Sequence, residues 1–399
     1  MKINKSILAV ALALGVSGLG HAGTVYLSGS TAMRGTVYST LMAPGVVFTA
    51  APTYTVWQGG TGSGLAGNGG NYMAFSGTLV GGSGNTLLKC HWTGSEAGIL
   101  TVASNAVVTD TFLSDSACNG ADHGTNDPAN TTGATISTTG VQLCMADNAQ
   151  SYSRTKTPAI SKAAEVGVIT FRWVRNPGLM TSNNVTDNMI RQALKGGCVR
   201  SVFTGVAGQT NDYVYVSGRD NLSGTRVNAF ADCGFGITTK PNQIEMNSSG
   251  VMQTLDANGD YVGDYGYSSG GTLAGTLGAN TTSANDPQNG LTVNGGYSVI
   301  AYLSYGDSAT AIQNGATELA YNGVYFSSQA VKEGNYNFWG NEYVMEANNA
   351  GATAAEADKI YNALAATTGI NAYCDGTKAI KLTDMNCTRG GPTADPAHN

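Results

Sequence analysis

Residues Gly218–Phe230 read GRDNLSGTRVNAF, and the six residues ahead of them, Asp212–Ser217, read DYVYVS. The six alternate as a β-strand does, whereas VNAFADC continues as a helix entered through Ser223, Gly224 and Thr225. A strand that runs straight into a helix is an α/β unit, and its corner has a chemistry. The start of a helix presents unpaired N–H groups and the positive end of the dipole, so a compact anion fits there. Arg219 stands four residues before Ser223, within reach of the same guest through two parallel guanidinium hydrogen bonds. The rest of the chain is expected to supply a second wall.

The 399 residues begin with MKINKSILAVALALGVSGLGHA, a basic start, an apolar run and small residues before an expected cut after Ala22. This reads as a secretory signal peptide, which places the mature protein in the periplasm of a cell with two membranes. No Cys stands directly after the cut, so no bacterial lipid anchor is expected, and no later apolar run is long enough to span a bilayer. The formal charge of the whole chain is -6; without Lys2 and Lys5, 18 basic groups face 26 acidic ones, a net of -8. Such a surface does not invite nucleic acid or anionic lipid, so any anion must be held by local geometry. With 42% hydrophobic residues there is enough apolar material for about two domains. An oxidising compartment permits disulfides among the seven cysteines, and the expected pairs are Cys374–Cys387, then Cys198–Cys233, then Cys90–Cys118, with Cys144 left buried and free. Only His91, His123 and His398 remain after the cut and no CxxC occurs, so no metal or cofactor is expected.

Three further corners repeat the pattern of the first. TVYLS (Thr24–Ser28) is a strand running into GSTAMRGTVYSTLMA, where Ser30 or Thr31 is expected to cap a helix. LLKCHWTGSEAGILTVA (Leu87–Ala103) turns from strand to helix around Ser95. VQLCMADNAQS is an apolar strand ending at Asp147, a carboxylate that either caps a helix or points into a crevice beyond the strand ends. Between them, 110–140 is polar and turn-rich and reads as an insertion. Glu165–Arg175 is a buried-type strand suited to a crossover; Val185–Gly197 and Ala354–Gly369 are amphipathic helices, the former capped by Thr186. DANGDYVGD (Asp256–Asp264) spaces its side chains like a calcium loop but lacks the glutamate at the twelfth position, and reads as a hairpin turn.

Taken together, these segments resemble the phosphate-binding proteins of ABC importers, which have the type 2 periplasmic binding protein fold. RDNLSGT is similar to the family's Arg-x-x-x-Ser-Gly-Thr segment, which implies that Arg219, Ser223, Gly224 and Thr225 hold the oxyanion. GSTAM resembles the first anion loop and implies ligand roles for Thr31 and the backbone of Ala32. GSEAG, with Trp92 in place of the loop's first Gly, implies one for Ser95. VQLCMADNAQS is similar to the strand whose Asp accepts the ligand's proton, which implies that role for Asp147; Asn221 stands where the family commonly carries an Asp. An ionised carboxylate can only accept, so it welcomes a protonated oxyanion and repels sulfate.

The implied architecture is α/β and two-lobed, with lobe 1 formed by 23–165 and 325–399 and lobe 2, 166–324, inserted between. The implied function is capture of inorganic phosphate between the lobes by a monomer that serves an ABC permease, with no catalysis. The alternatives are a binder of another oxyanion used in sensing, a secreted phosphoester hydrolase and a surface protein. GYSSG (Gly266–Gly270) matches the GxSxG of hydrolases but lies in a turn-rich stretch without strand-turn-helix context.

Overall fold

In Lys162–Arg175 nine consecutive residues, Val166–Val174, are buried. A strand apolar on both faces must lie inside a sheet covered on both sides, and this one is the spine of the fold. The computed structural model describes residues 23–57, 70–104, 111–113, 132–135, 140–177, 180–210, 213–246, 252–253, 266–278, 284–285, 292–293, 298–391, 393 and 396–398. The expected signal peptide, most of the 110–140 insertion and the Asp256–Asp264 loop lie outside the described residues. No helix among the described residues is long and apolar enough to cross a membrane.

The main strands are β1 (Gly23–Gly29), β2 (Thr53–Trp57), β3 (Tyr72–Thr78), β4 (Asn85–His91), β5 (Leu143–Ala146), β6 (Lys162–Arg175), β7 (Cys198–Val199), β8 (Tyr213–Ser217), β9 (Ser298–Ser304), β10 (Thr317–Tyr321) and β11 (Trp339–Glu346). Among the described residues they belong to one mixed sheet, in the order β7-β8-β9-β6-β11-β5-β1-β4-β3-β2, with β10 pairing β6 off this path. The first part of β6 pairs antiparallel with β11 and its last part with β9. β1 runs parallel to both β4 and β5, and β8 runs parallel to β9. The helices used below are α1 (Arg34–Met42), α2 (Ser95–Ser104), α3 (Asp187–Leu194), α4 (Gly224–Asp232), α5 (Gly270–Leu277), α6 (Tyr305–Gln313) and α7 (Ala354–Ala365).

One buried apolar cluster extends from Val25 and Leu27 through Ile169, Phe171 and Trp173 to Phe230 and Tyr302. Trp173 stands edge-on to Tyr302 at 5.5 Å and Phe230 edge-on to Tyr302 at 5.8 Å. Each such aromatic pair adds about 0.5–1.5 kcal/mol beyond the area it buries. The cluster seats α4 against the sheet, which fixes where its N-terminus points.

Thr186 caps α3, its hydroxyl accepting from Met189 N–H. α1 differs from expectation: it begins at Arg34, after Met33, with no side-chain cap. Ser30 Oγ still accepts from Met33 N–H at 3.3 Å, but its own proton goes to Asp147.

The expected disulfides do not form. Cys90, Cys144, Cys198, Cys233, Cys374 and Cys387 are all unpaired and buried. Cys374 lies against Gly167 of β6, whereas Cys387 lies against Gly334, so nearness in sequence does not bring the two sulfurs together. Cys198 is on edge strand β7, while Cys233 follows α4 with its thiol directed at Phe230 O. Cys118 is outside the described residues. Cys144 is buried and free as expected, and burial pushes its thiol up.

Candidate functional site

The parallel strands β1, β4 and β5 end side by side, and ligand crevices in α/β sheets form beyond such carboxyl ends. β1 hands over to Ser30, β4 to the turn that opens α2 at Ser95, and β5 to Asp147, which is only 3% exposed. Asp147 Oδ1 accepts a short hydrogen bond from Ser30 Oγ, and its N–H donates to Ser95 Oγ at 3.0 Å. Across from them stands α4. Thr225 Oγ1 donates to Asp147 Oδ2 at 3.5 Å, and Asn228 Nδ2 donates to Asp147 O at 3.0 Å.

Gly224, the first residue of α4, makes the closest approach. A Cβ there would fall 2.3 Å from Ser95 Oγ and 3.0 Å from Asp147 Cβ. Only a glycine lets the helix start touch the opposite wall. The contact is fastened by Glu96 N–H, which donates to Leu222 O at 3.0 Å. Gly94 serves the same contact at φ +110°, where a Cβ would meet Leu222 O at 2.4 Å. Ser223 caps α4 as expected, its Oγ accepting from Arg226 N–H at 3.4 Å.

Ser95, Asp147, Ser223, Gly224 and Thr225 are therefore brought together. Arg219 is not joined to them by its guanidinium: Nε donates to Tyr267 O at 3.0 Å and Nη2 to Ser268 O at 2.9 Å. Its Nη1 lies near Gly270, where Asp307 Oδ2 also lies. Thr31 and Ala32 line a cavity of about 310 Å³ together with Arg34, Ser304, Asp307 and Lys378. Ser304 caps α6 and its Oγ also donates to Asp307 Oδ2 at 2.8 Å. Burial lowers the pKa of Arg34 and the charge of Asp307 opposes that shift. Asp147 instead borders a cavity of about 130 Å³ with Asn228, Trp339 and Arg389.

Sequence reasoning missed three participants. Ser30, read from sequence only as a candidate helix cap, bonds Asp147. Asn228 was one polar residue inside a helix, and its spacing from Gly224 puts both on one face of α4. Glu342 of β11 lies fully buried beside Asp147 and looks in sequence like any strand glutamate. Glu96, in the first turn of α2, is a clamp: its carboxylate accepts from Asn148 Nδ2, Ser153 Oγ and Arg154 N–H. Burial raises the pKa of Glu96 and these bonds oppose the rise.

GYSSG does not form a nucleophile elbow. Ser268 is exposed, its carbonyl receives Arg219, and the segment leads from an isolated bridge between Arg219 and Tyr267 into α5. Among the described residues, no group of three or more His, Cys, Asp or Glu side chains could hold a metal ion.

No family model matches the chain, and no curated protein matches it in sequence. Several solved structures resemble it. A protein from Clostridium perfringens, provisionally described as a phosphate ABC transporter substrate-binding protein and solved with phosphate bound, is 11% identical at a TM-score of 0.46, over 90% of this chain and 99% of that one. An ABC-type phosphate transport receptor from Vibrio cholerae is 10% identical at a TM-score of 0.41, over 83% and 90%. PstS from Borrelia burgdorferi is 10% identical at a TM-score of 0.37, over 90% and 98%. These likenesses are distant, and they transfer no residue role to this chain.

Proposed function

We propose that this chain is a two-lobed periplasmic binding protein that captures a small oxyanion, inorganic phosphate, and presents it to an ABC permease. Lobe 1 is 23–165 with 325–399, lobe 2 is 166–324, and β6 and β11 form the hinge between them. The observation that carries this reading is the meeting of the α4 N-terminus with Ser95 and Asp147.

A compact anion taken out of water must recover its lost hydrogen bonds. The N–H groups of Gly224 and Thr225 and the hydroxyls of Ser95, Ser223 and Thr225 supply donors without a large excess of positive charge. Arg219 adds positive potential from behind the α4 corner, with Nε and Nη2 held by the Tyr267 and Ser268 carbonyls. Ser30 and Thr225 give their protons to Asp147. Opening about the hinge lifts Gly224 off Ser95. On closure those hydroxyls turn to the ligand, and Asp147 accepts the proton that phosphate still carries. Sulfate has none to offer and meets the carboxylate with repulsion.

Titration calorimetry on the mature protein tests this. The expected result is saturable binding of phosphate in preference to sulfate and molybdate; no phosphate binding, or equal or tighter sulfate binding, rejects it.

A further inference from the structure

We propose that Glu342 and Asp147 form a single proton-sharing carboxyl pair, in which Glu342 keeps the proton and holds Asp147 as the charged acceptor that reads the ligand's own proton. The inference rests on the oxyanion reading above, but the pair can be tested with no ligand present.

The register places the two side chains together. β11 runs antiparallel to β5 with Tyr343 opposite Ala146 and Val344 opposite Met145. One step further sets Glu342 opposite Asp147, and facing residues of an antiparallel pair have Cβ atoms about 4.5–5.5 Å apart on the same face. Glu342 is fully buried, and neither of its oxygens has a hydrogen-bond donor among the described residues. Two adjacent carboxylates, one wholly without donors, are strongly unfavourable in a low-dielectric interior. One proton removes the conflict. On Glu342 it gives the carboxyl an O–H to donate to Asp147. Asp147 is the better place for the charge, because Ser30 and Thr225 already donate to it and the α4 N-terminus lies against it. Burial and the Asp147 carboxylate both drive the Glu342 pKa well above the ordinary range.

Arg389 borders the cavity beside Asp147 but is committed to Asp232 and to the Asn337 and Trp339 carbonyls. β5 presents Cys144 and the turn after α7 presents Cys374, thiols that burial raises and keeps neutral. β6 presents Gly167 opposite Glu342, while Glu165 bonds Asn341 and Tyr343. On β11 itself, Glu346 is paired with Lys162, which also holds Asp358 of α7, the helix that carries Glu356 and Lys359. α2 presents Glu96, whose carboxylate is occupied by Asn148, Ser153 and Arg154.

When rising pH ionises Glu342, a second negative charge faces the anion site and the ligand leaves. Glu342→Gln keeps a donor to Asp147 but cannot ionise. Difference infrared spectroscopy on the ligand-free mature protein at neutral pH is the test. We expect a protonated-carboxyl C=O band in the wild type that is lost in E342Q and that moves when the wild type is grown with carbon-13 glutamate. A wild-type band absent, unmoved by the label, or retained in full in E342Q overturns the pair. The labelling arm needs no variant to fold. In calorimetry, E342Q should lose less phosphate affinity than the wild type as the pH is raised above neutral. The ligand's own titration is common to both proteins, so parallel losses overturn the role toward the ligand. If the wild type binds no phosphate, the proposed function fails, and the infrared result still decides the pair.

Discussion

Replacing Gly224 with alanine sets a methyl group 2.3 Å from Ser95 Oγ, 2.6 Å from Ser95 Cβ and 3.0 Å from Asp147 Cβ. Comfortable contact between carbon atoms needs about 3.5–4.0 Å, so the overlap with Ser95 is about 1 Å. Ser95 has no room to yield: it is buried, and its Oγ holds Asp147 N–H. The start of α4 must therefore back away from the opposite wall. Overpacking of this kind costs about 1–3 kcal/mol, and alanine in a helix regains at most about 1 kcal/mol over glycine. A net of about 1–2 kcal/mol falls on the arrangement with Gly224 seated on Ser95 and lowers the stability of the phosphate-free protein by that amount. Urea unfolding without phosphate reads this directly, beside Gly275→Ala as a control. Gly275 lies in α5 with open space where a Cβ would go, so that variant should gain about 0.5–1 kcal/mol in stability and bind unchanged. G224A as stable as the wild type, or the same change in both variants, refutes the claim that Gly224 makes the tight contact with Ser95.

Asp147→Asn should shrink the preference for phosphate over sulfate, and an unchanged ratio of the two calorimetric affinities rejects the proton-acceptor role. Arg389→Ala should lower stability by about 3–5 kcal/mol in urea unfolding, because it strips the partner from Asp232 in a pair whose side chains are 4% and 2% exposed; a change under about 1 kcal/mol would mean that the pair is already solvated. Glu342 has a folded-state pKa raised above its unfolded value, so its contribution is full below about pH 4 and is lost as pH rises toward the folded value, by up to about 1.4 kcal/mol per pH unit. E342Q should remove that slope from a series of thermal melts. Alkylation in denaturant without reductant should count at least the six described thiols, and reductant should leave the melting temperature of the native protein unchanged.

The corner at Ser217–Gly224 was legible because its signals are local: alternation in β8, then a Ser cap and a Gly at the helix start. Asp147 was legible because an apolar run ends at it. What escaped was set by contacts distant in the chain. The guanidinium of Arg219 reads as a free anion fork until the carbonyls of Tyr267 and Ser268, 48 and 49 residues on, are seen to receive it. Glu342 meets Asp147 only through the β5–β11 register, which no local pattern encodes. The cysteine pairs were inferred from compartment and spacing, whereas pairing depends on where each Cβ points, and the thiols of Cys374 and Cys387 pack on different elements. Ser30 Oγ accepts Met33 N–H in the expected loop, but its bond to Asp147, 117 residues away, is not visible in the local sequence.

The central claim, that an oxyanion is held where α4 meets Ser95 and Asp147, is tested most directly by a crystal structure of the mature protein grown with phosphate. The account predicts phosphate between the N–H groups of Gly224 and Thr225 on one side and Ser95 and Asp147 on the other, with Asp147 in hydrogen-bond contact with a phosphate oxygen. Gly224 still seated on Ser95 at saturating phosphate, with the anion elsewhere or absent, would contradict it.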